Sequence, residues 1–164
     1  MPQNYVLPAF ATLINGVPLR HEFEAAVGSA ILPRDLVEFD TNYCEDGKAH
    51  IKEASYCSEN VIGVADQHPL EDENYETPLT RAYTAGEAVR VLSGIIVVAL
   101  RLAAGQTITC GELLKPSHSG EVRELDCESG TSDPYSNACL RVAQALASYA
   151  SATVMQFIIA KLLI

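Results

Sequence analysis

Apolar and polar positions alternate along this chain in short runs, and turn residues interrupt the runs every few positions. Leu36, Val37 and Phe39 mark one run, residues 50–54 a second and residues 61–65 a third, and each has the length and period of a strand. Between 88 and 92 the alternation is strict, with Val89 and Val91 on one face and Arg90 on the other. The run from Ile95 to Leu100 carries β-branched residues on both faces. It predicts a strand buried on two sides, or one with a face in a core and a face in a subunit contact. Further strands are expected at 108–115, at 122–125, and at 153–164, where Val154, Phe157, Ile158, Ile159, Leu162 and Leu163 supply apolar bulk.

The punctuation between the runs is turn chemistry. Pro33 with Arg34, Asp46 with Gly47, and residues 84–87, 93–94, 102–106 and 116–120 read as turns. Gly63 stands inside a strand, where a bulge or a close backbone approach explains the missing side chain. Residues 4–20, broken by Pro8, Gly16 and Pro18, read as extended chain, an edge strand leading into the core with an arm lying on a neighbour as the alternative. Phe23, Ala26 and Val27 have helical spacing and predict a short helix within 21–30. Residues 135–150 have helical composition in their second half, through Leu140, Ala143, Ala147 and Tyr149, against a strand at 139–143 followed by loop and strand. The whole reads as mainly β, a compact β-barrel or β-sandwich-like fold with short helical segments. An N-terminal arm and short helix (1–30) would precede a compact β domain (31–164). That domain divides into 31–66 and 79–164 if the polar stretch 67–78, with Glu71, Asp72 and Glu73, is a linker.

Two stretches echo each other 77 positions apart. Ile31, Asp35, Leu36 and Val37 match Ile108, Glu112, Leu113 and Leu114; Gly47 finds a counterpart in Gly120, and residues 61–65 in 139–143. Each unit places an acid after a tight turn and before a strand, and two related β lobes would follow from it.

Composition narrows the function classes. With 164 residues and 48% apolar content the chain can bury a core. Its net charge of -10, from 21 acidic and 11 basic side chains, repels phosphate backbones and disfavours direct nucleic-acid binding. Cys44, Cys57, Cys110, Cys127 and Cys139 are odd in number, and residues 1–10 lack a secretory pattern, so reduced thiols are expected. Neither strong apolar stretch, 95–99 or 157–164, approaches the roughly 20 residues of a membrane helix.

Candidate chemistry is sparse. His21, His50, His68 and His118 form no paired motif and no two cysteines are spaced as zinc ligands, so a site from Cys44, Cys57 and His50 would have to be assembled across the fold. His118 between Ser117 and Ser119 reads as a solvated hairpin tip. Asp35 and Glu112 invite a paired-carboxylate reading, but in turns such carboxylates accept hydrogen bonds from free amides. Glu71, Asp72, Glu73 and Asp66 lack the alternating ligands and glycine of a calcium loop. Gly86, Gly94, Gly105 and Gly111 are isolated turn or strand-end residues, unlike a phosphate cradle. No catalytic, cofactor-binding or metal residue is assigned, and no enzyme is expected.

The order Tyr83-Thr84-Ala85-Gly86-Glu87-Ala88-Val89-Arg90-Val91, then Gly105, Ile108-Thr109-Cys110-Gly111-Glu112-Leu113-Leu114-Lys115, Gly120, Val142, Ala145 with Leu146, and a closing apolar strand resembles the capsid decoration, or cement, proteins of tailed viruses of bacteria and archaea. The resemblance covers residue 62 to the C-terminus and, more loosely, 31–65. It departs at Pro33 and Arg34, where a glycine is expected before Asp35, in the loop 127–137 and in the number of cysteines. It implies a compact β protein on the outer surface of a virion, a homo-oligomer with a trimer favoured, that contacts the major capsid protein and neither nucleic acid nor membrane. A head-completion or tail component, a small β-barrel metal-dependent hydrolase and a carbohydrate-binding module are the rival readings. Residues 4–19 and 153–164 are the candidate contact segments.

Overall fold

A computed structural model describes residues 12–41, 48–67, 81–125, 141–149 and 156–164. Over these the chain forms β1 (Leu13–Asn15), β2 (Leu19–Ala25), β3 (Leu36–Phe39), β4 (His50–Glu53), β5 (Val61–Ala65), β6 (Ala88–Ser93), β7 (Val97–Leu102), β8 (Leu113–Pro116), β9 (Val122–Glu124), β10 (Ala143–Ala145) and β11 (Gln156–Leu162). The helical content of the described residues is one 3-10 turn, His118–Gly120, and none of their helices is long and apolar enough to cross a membrane. The strands close into two five-stranded barrels. The first runs β2-β4-β3-β5-β6 and returns to β2. The second runs β7-β11-β10-β8-β9, closed by β9 on β7, with β1 added to β7.

Most strands form where the alternation placed them, and three segments differ. Residues 19–25 are a strand and not a helix: His21, Phe23 and Ala25 alternate with Arg20, Glu22 and Glu24, and this period of two outweighs the helical spacing of Phe23, Ala26 and Val27. Residues 143–145 are a strand, with Ala143 and Ala145 buried and Gln144 half-buried, which rules out a helix over the described part of 135–150. Residues 109–112 are a turn, so the strand expected at 108–115 begins at Leu113. The chain passes between barrels at 94–96, whereas the sequence reading divided it at 67–78 and set 1–30 apart; β2 and β6 both belong to the first barrel. The turn around Asp46 and Gly47, and most of the acidic stretch, lie outside the described residues.

The two barrels repeat one fold. Matching β2 through β6 with β7 through β11 reproduces every pairing, including the parallel contact of β2 with β4 and of β7 with β9. The amide of Ala65 donates to the carbonyl of Asp35 (2.8 Å) and that of Arg34 to Ala65 (2.8 Å); their counterparts are Ala145 to Glu112 (2.9 Å) and Gly111 to Ala145 (2.8 Å). Tyr83 donates its amide to Ile31 and Tyr149 to Ile108, each at 2.8 Å. The echo is therefore structural. In β5 and β10 its register differs from the sequence reading, because Gly63 pairs with Val37 as Ala143 pairs with Leu114.

One turn recurs three times. In 32–35, 84–87 and 109–112 a residue with positive φ precedes an acid: Arg34 (76°), Gly86 (80°) and Gly111 (94°). In each, the carboxylate accepts from the amide three residues back, Asp35 from Leu32 (2.7 Å), Glu87 from Thr84 (2.6 Å) and Glu112 from Thr109 (2.7 Å). This is the role in turns expected of Asp35 and Glu112. Arg34 holds a conformation that an L side chain rarely adopts, at the place where a glycine was expected.

Burial shows how the barrels join. Val37, Ala65, Val89 and Val91 fill the first barrel with Ile31, Ile51 and Tyr83. Their neighbours Leu36, Val64 and Leu92, in register across β3, β5 and β6, point the other way and belong to the core cluster that contains Val98, Leu100, Leu114 and Ile158 of the second barrel. The corresponding row of the second barrel, Leu113, Gln144 and Lys161, is half-buried to exposed. At Gly63 a Cβ atom would stand 2.5 Å from the carbonyl oxygen of Leu92 and 2.5 Å from a Val91 methyl, so the sheet closes only without a side chain there. Gly63→Ala is expected to cost about 2 kcal/mol or more through forced separation of β5 and β6, read as a lower denaturation midpoint with unchanged slope.

Candidate binding surfaces and the barrel junction

Three places gather chemistry. The first is the junction, where turn 32–35 of the first barrel is stitched to β7. The amide of Arg101 donates to the carbonyl of Arg34 (3.3 Å), and its guanidinium donates to Asp35 Oδ1 (2.5 Å) and Glu121 Oε1 (3.3 Å). Asp35 is fully buried and Arg101 nearly so. The Arg34 guanidinium lies 4.3 Å from the centre of the Phe157 ring, a cation-π contact. From the far side the 3-10 turn locks in: Gly120 donates to Ala54 (3.1 Å), and a Cβ there would meet Asp35 at 2.6 Å. Burial pushes the Asp35 carboxyl up to about 7, against the pull of Arg101 and of the Leu32 amide.

The second is a polar concavity of about 510 Å³ lined by Glu53, Ala54, Ser55, Tyr56, His118 and Ser119. Tyr56 stacks on His118 with ring centres 5.0 Å apart, and Lys115 and Arg123 stand 5.8 and 5.6 Å from the tyrosine ring. His118 is thus at a polar tip, as its serine neighbours implied, and one face of its ring is covered. The third is apolar. Val17 (93% exposed), Ile95 (73%) and Leu163 (38%) surround the crossing between barrels. Gly16 packs on Ile96, and the Gly94 amide donates to the carbonyl of Ile164, which brings the three segments together.

The other candidates stay apart. His50 is on β4, Cys57 is a half-buried thiol in the turn after it, and Cys44 and His68 lie outside the described residues. Among the described residues no three His, Cys, Asp or Glu side chains converge as metal ligands. Asp35 meets Arg101 at the junction while Glu112 caps its own turn, so they do not act as a pair. Sequence reasoning missed Arg101 and Glu121. The available signal was a lone charge, Arg101, in a strand buried on both faces, since such a charge requires a partner.

Two outcomes test the junction. Arg101→Met strands a buried carboxylate, and a loss of about 3–5 kcal/mol is expected in urea unfolding above neutral pH. The raised Asp35 carboxyl contributes stability that is complete below its ordinary value near 3.8 and lost as pH rises through about 7. Burial pushes Glu38 up, but hydrogen bonds from Ser58 and Ser55 and the charge of Lys52 hold it below its ordinary value, so its contribution is present above pH 4.5 and lost below. Stability should therefore rise on acidification from pH 8 to 5, by at most about 1.4 kcal/mol per unit for the single group, and turn over below 4.5. Asp35→Asn should flatten the limb between 5 and 8.

No protein-family model matches the chain, and none of the curated proteins matches it. Among solved structures it is similar to the head fiber gp8.5 N base of bacteriophage phi29, at 15% sequence identity over 88% of this chain and 94% of that one, with a TM-score of 0.49.

Proposed function

We propose that this chain is a non-catalytic structural protein of a virion, a decoration protein that binds the outer capsid surface through the major capsid protein and acts as a homo-oligomer. The observation that carries the reading is the apolar crossing. Val17, Ile95 and Leu163 are exposed where three segments meet at the crossing, beside a strand, β7, that the fold buries on both faces. Such a patch marks an interaction site. Val17 and Leu163 fall in the two segments, 4–19 and 153–164, that the sequence pointed to as contacts, and Ile95 joins them through the fold. The resemblance of residues 62–164 to decoration proteins supplies the kind of partner. Binding to a closed shell in preference to a loosened one stabilises the shell by mass action.

The test is co-sedimentation with shells built from the major capsid protein of the virus that carries this chain. Saturable binding and a higher temperature of shell disruption are expected. Ile95→Asp should weaken binding at least tenfold, since burying one such side chain contributes about 2 kcal/mol, with the melting temperature of the free protein unchanged. Absence of binding, with shell disruption unaltered, contradicts the reading.

A further inference from the structure

Among the described residues, the repeat identifies an edge that one barrel covers and the other leaves unpaired. In the second barrel β1 lies on the outer edge of β7: Leu13 pairs with Val98, Asn15 with Val97, and the amide of Ala99 donates to Thr12 (2.9 Å). The residues of β2 that correspond to Val97, Val98 and Ala99 are Arg20, His21 and Glu22, because Arg20 faces Leu92 as Val97 faces Lys161, and those two are counterparts. Among the described residues nothing pairs with this edge before Glu24, where β4 begins, and Leu19, Arg20, His21 and Glu22 are all exposed.

The pattern of main-chain bonds gives the direction of the open groups. The Ala25 amide donates to Glu87 and its carbonyl accepts from Gly86, so odd-numbered residues of β2 bond towards β6. Antiparallel alternation then turns the N–H and C=O of Arg20 and Glu22 outward. Beside them is a largely apolar concavity of about 350 Å³ lined by Glu22, Phe23, Glu24, Lys48, Ala49 and Ala88.

Open edges are commonly guarded by charge, but a guard of one sign repels a second copy, and this edge carries one of each. We infer that β2 pairs antiparallel with β2 of a second copy of this chain, about a two-fold axis at His21. In that register Arg20 faces Glu22 of the other copy, twice, and both are residues whose main-chain groups point outward, as a hydrogen-bonded pair requires. Leu19, 63% exposed, faces Phe23 of the other copy and enters its concavity. Charge, main-chain polarity and apolar shape thus agree in a single register, and the contact is isologous.

The edge adjoins the apolar crossing, since Leu19 pairs with Ser93 and its backbone lies beside Gly94. Sedimentation of the chain without shells reads pairing alone, so its failure is distinguishable from failure of shell binding. The family resemblance implies a trimer, while the edge implies a dimer. The experiment is sedimentation equilibrium of the full chain at 0.01–100 µM, chosen to span about the usual affinity range of such contacts, with melting temperature as the folding control. A dimer is expected. Arg20→Glu and Glu22→Arg should each raise the dissociation constant at least tenfold by setting like charges opposite one another, and the double variant should restore it to within about threefold. Glu22→Pro, which removes an outward N–H that β6 does not use, should also give monomer. A monomer throughout, a trimer indifferent to these substitutions, or a double variant no better than the singles overturns the inference.

Discussion

Arg101 is a nearly buried charge near the end of β7, a strand buried on both faces, and it is tolerated there because Asp35 arrives from the other barrel. The contact does three things at once. It pairs two charges that neither barrel could bury alone; it fixes turn 32–35, and with it the register of β3; and through Glu121 it holds the loop before β9. The cost of desolvating Asp35 is visible in its raised carboxyl. A pair of this kind contributes less to net stability than to uniqueness of arrangement, since apolar replacements can be as stable while a single removal is severe.

Around that contact the repeated fold has been used asymmetrically. Both barrels have the same strand order and the same turn hydrogen bonds, yet the row Leu36, Val64 and Leu92 is apolar and buried while Leu113, Gln144 and Lys161 face outward or partly so. Had both rows been apolar, the second barrel would present an adhesive face for open-ended association. Because only the first is, the barrels join once. Among the described residues the same asymmetry leaves β2 unpaired where β7 is covered by β1, and it exposes the crossing at Ile95.

Much of the fold was legible because strands with one polar face declare themselves: Val89, Arg90 and Val91 alternate, and Thr84 to Glu87 forms the expected turn. Residues 19–25 were obscured because their inward face, His21, Phe23 and Ala25, is only weakly apolar at the open end of the barrel. Residues 109–112 were read as strand because Ile108 and Leu113 bracket a turn whose cue, Gly111 before Glu112, is short. The pairing of Asp35 with Arg101 spans 66 positions, and no local pattern encodes such a contact. Nor could alternation tell which barrel a two-faced strand serves, so the division at 94–96 emerged only from pairing.

The central claim is that the two barrels form one cooperative unit, since each lacks part of its core and one half of an ion pair without the other. Differential scanning calorimetry of the full chain tests it most directly. The account predicts a single transition whose calorimetric and van't Hoff enthalpies agree. Two resolved transitions, with one barrel melting while the other stays folded, would contradict it.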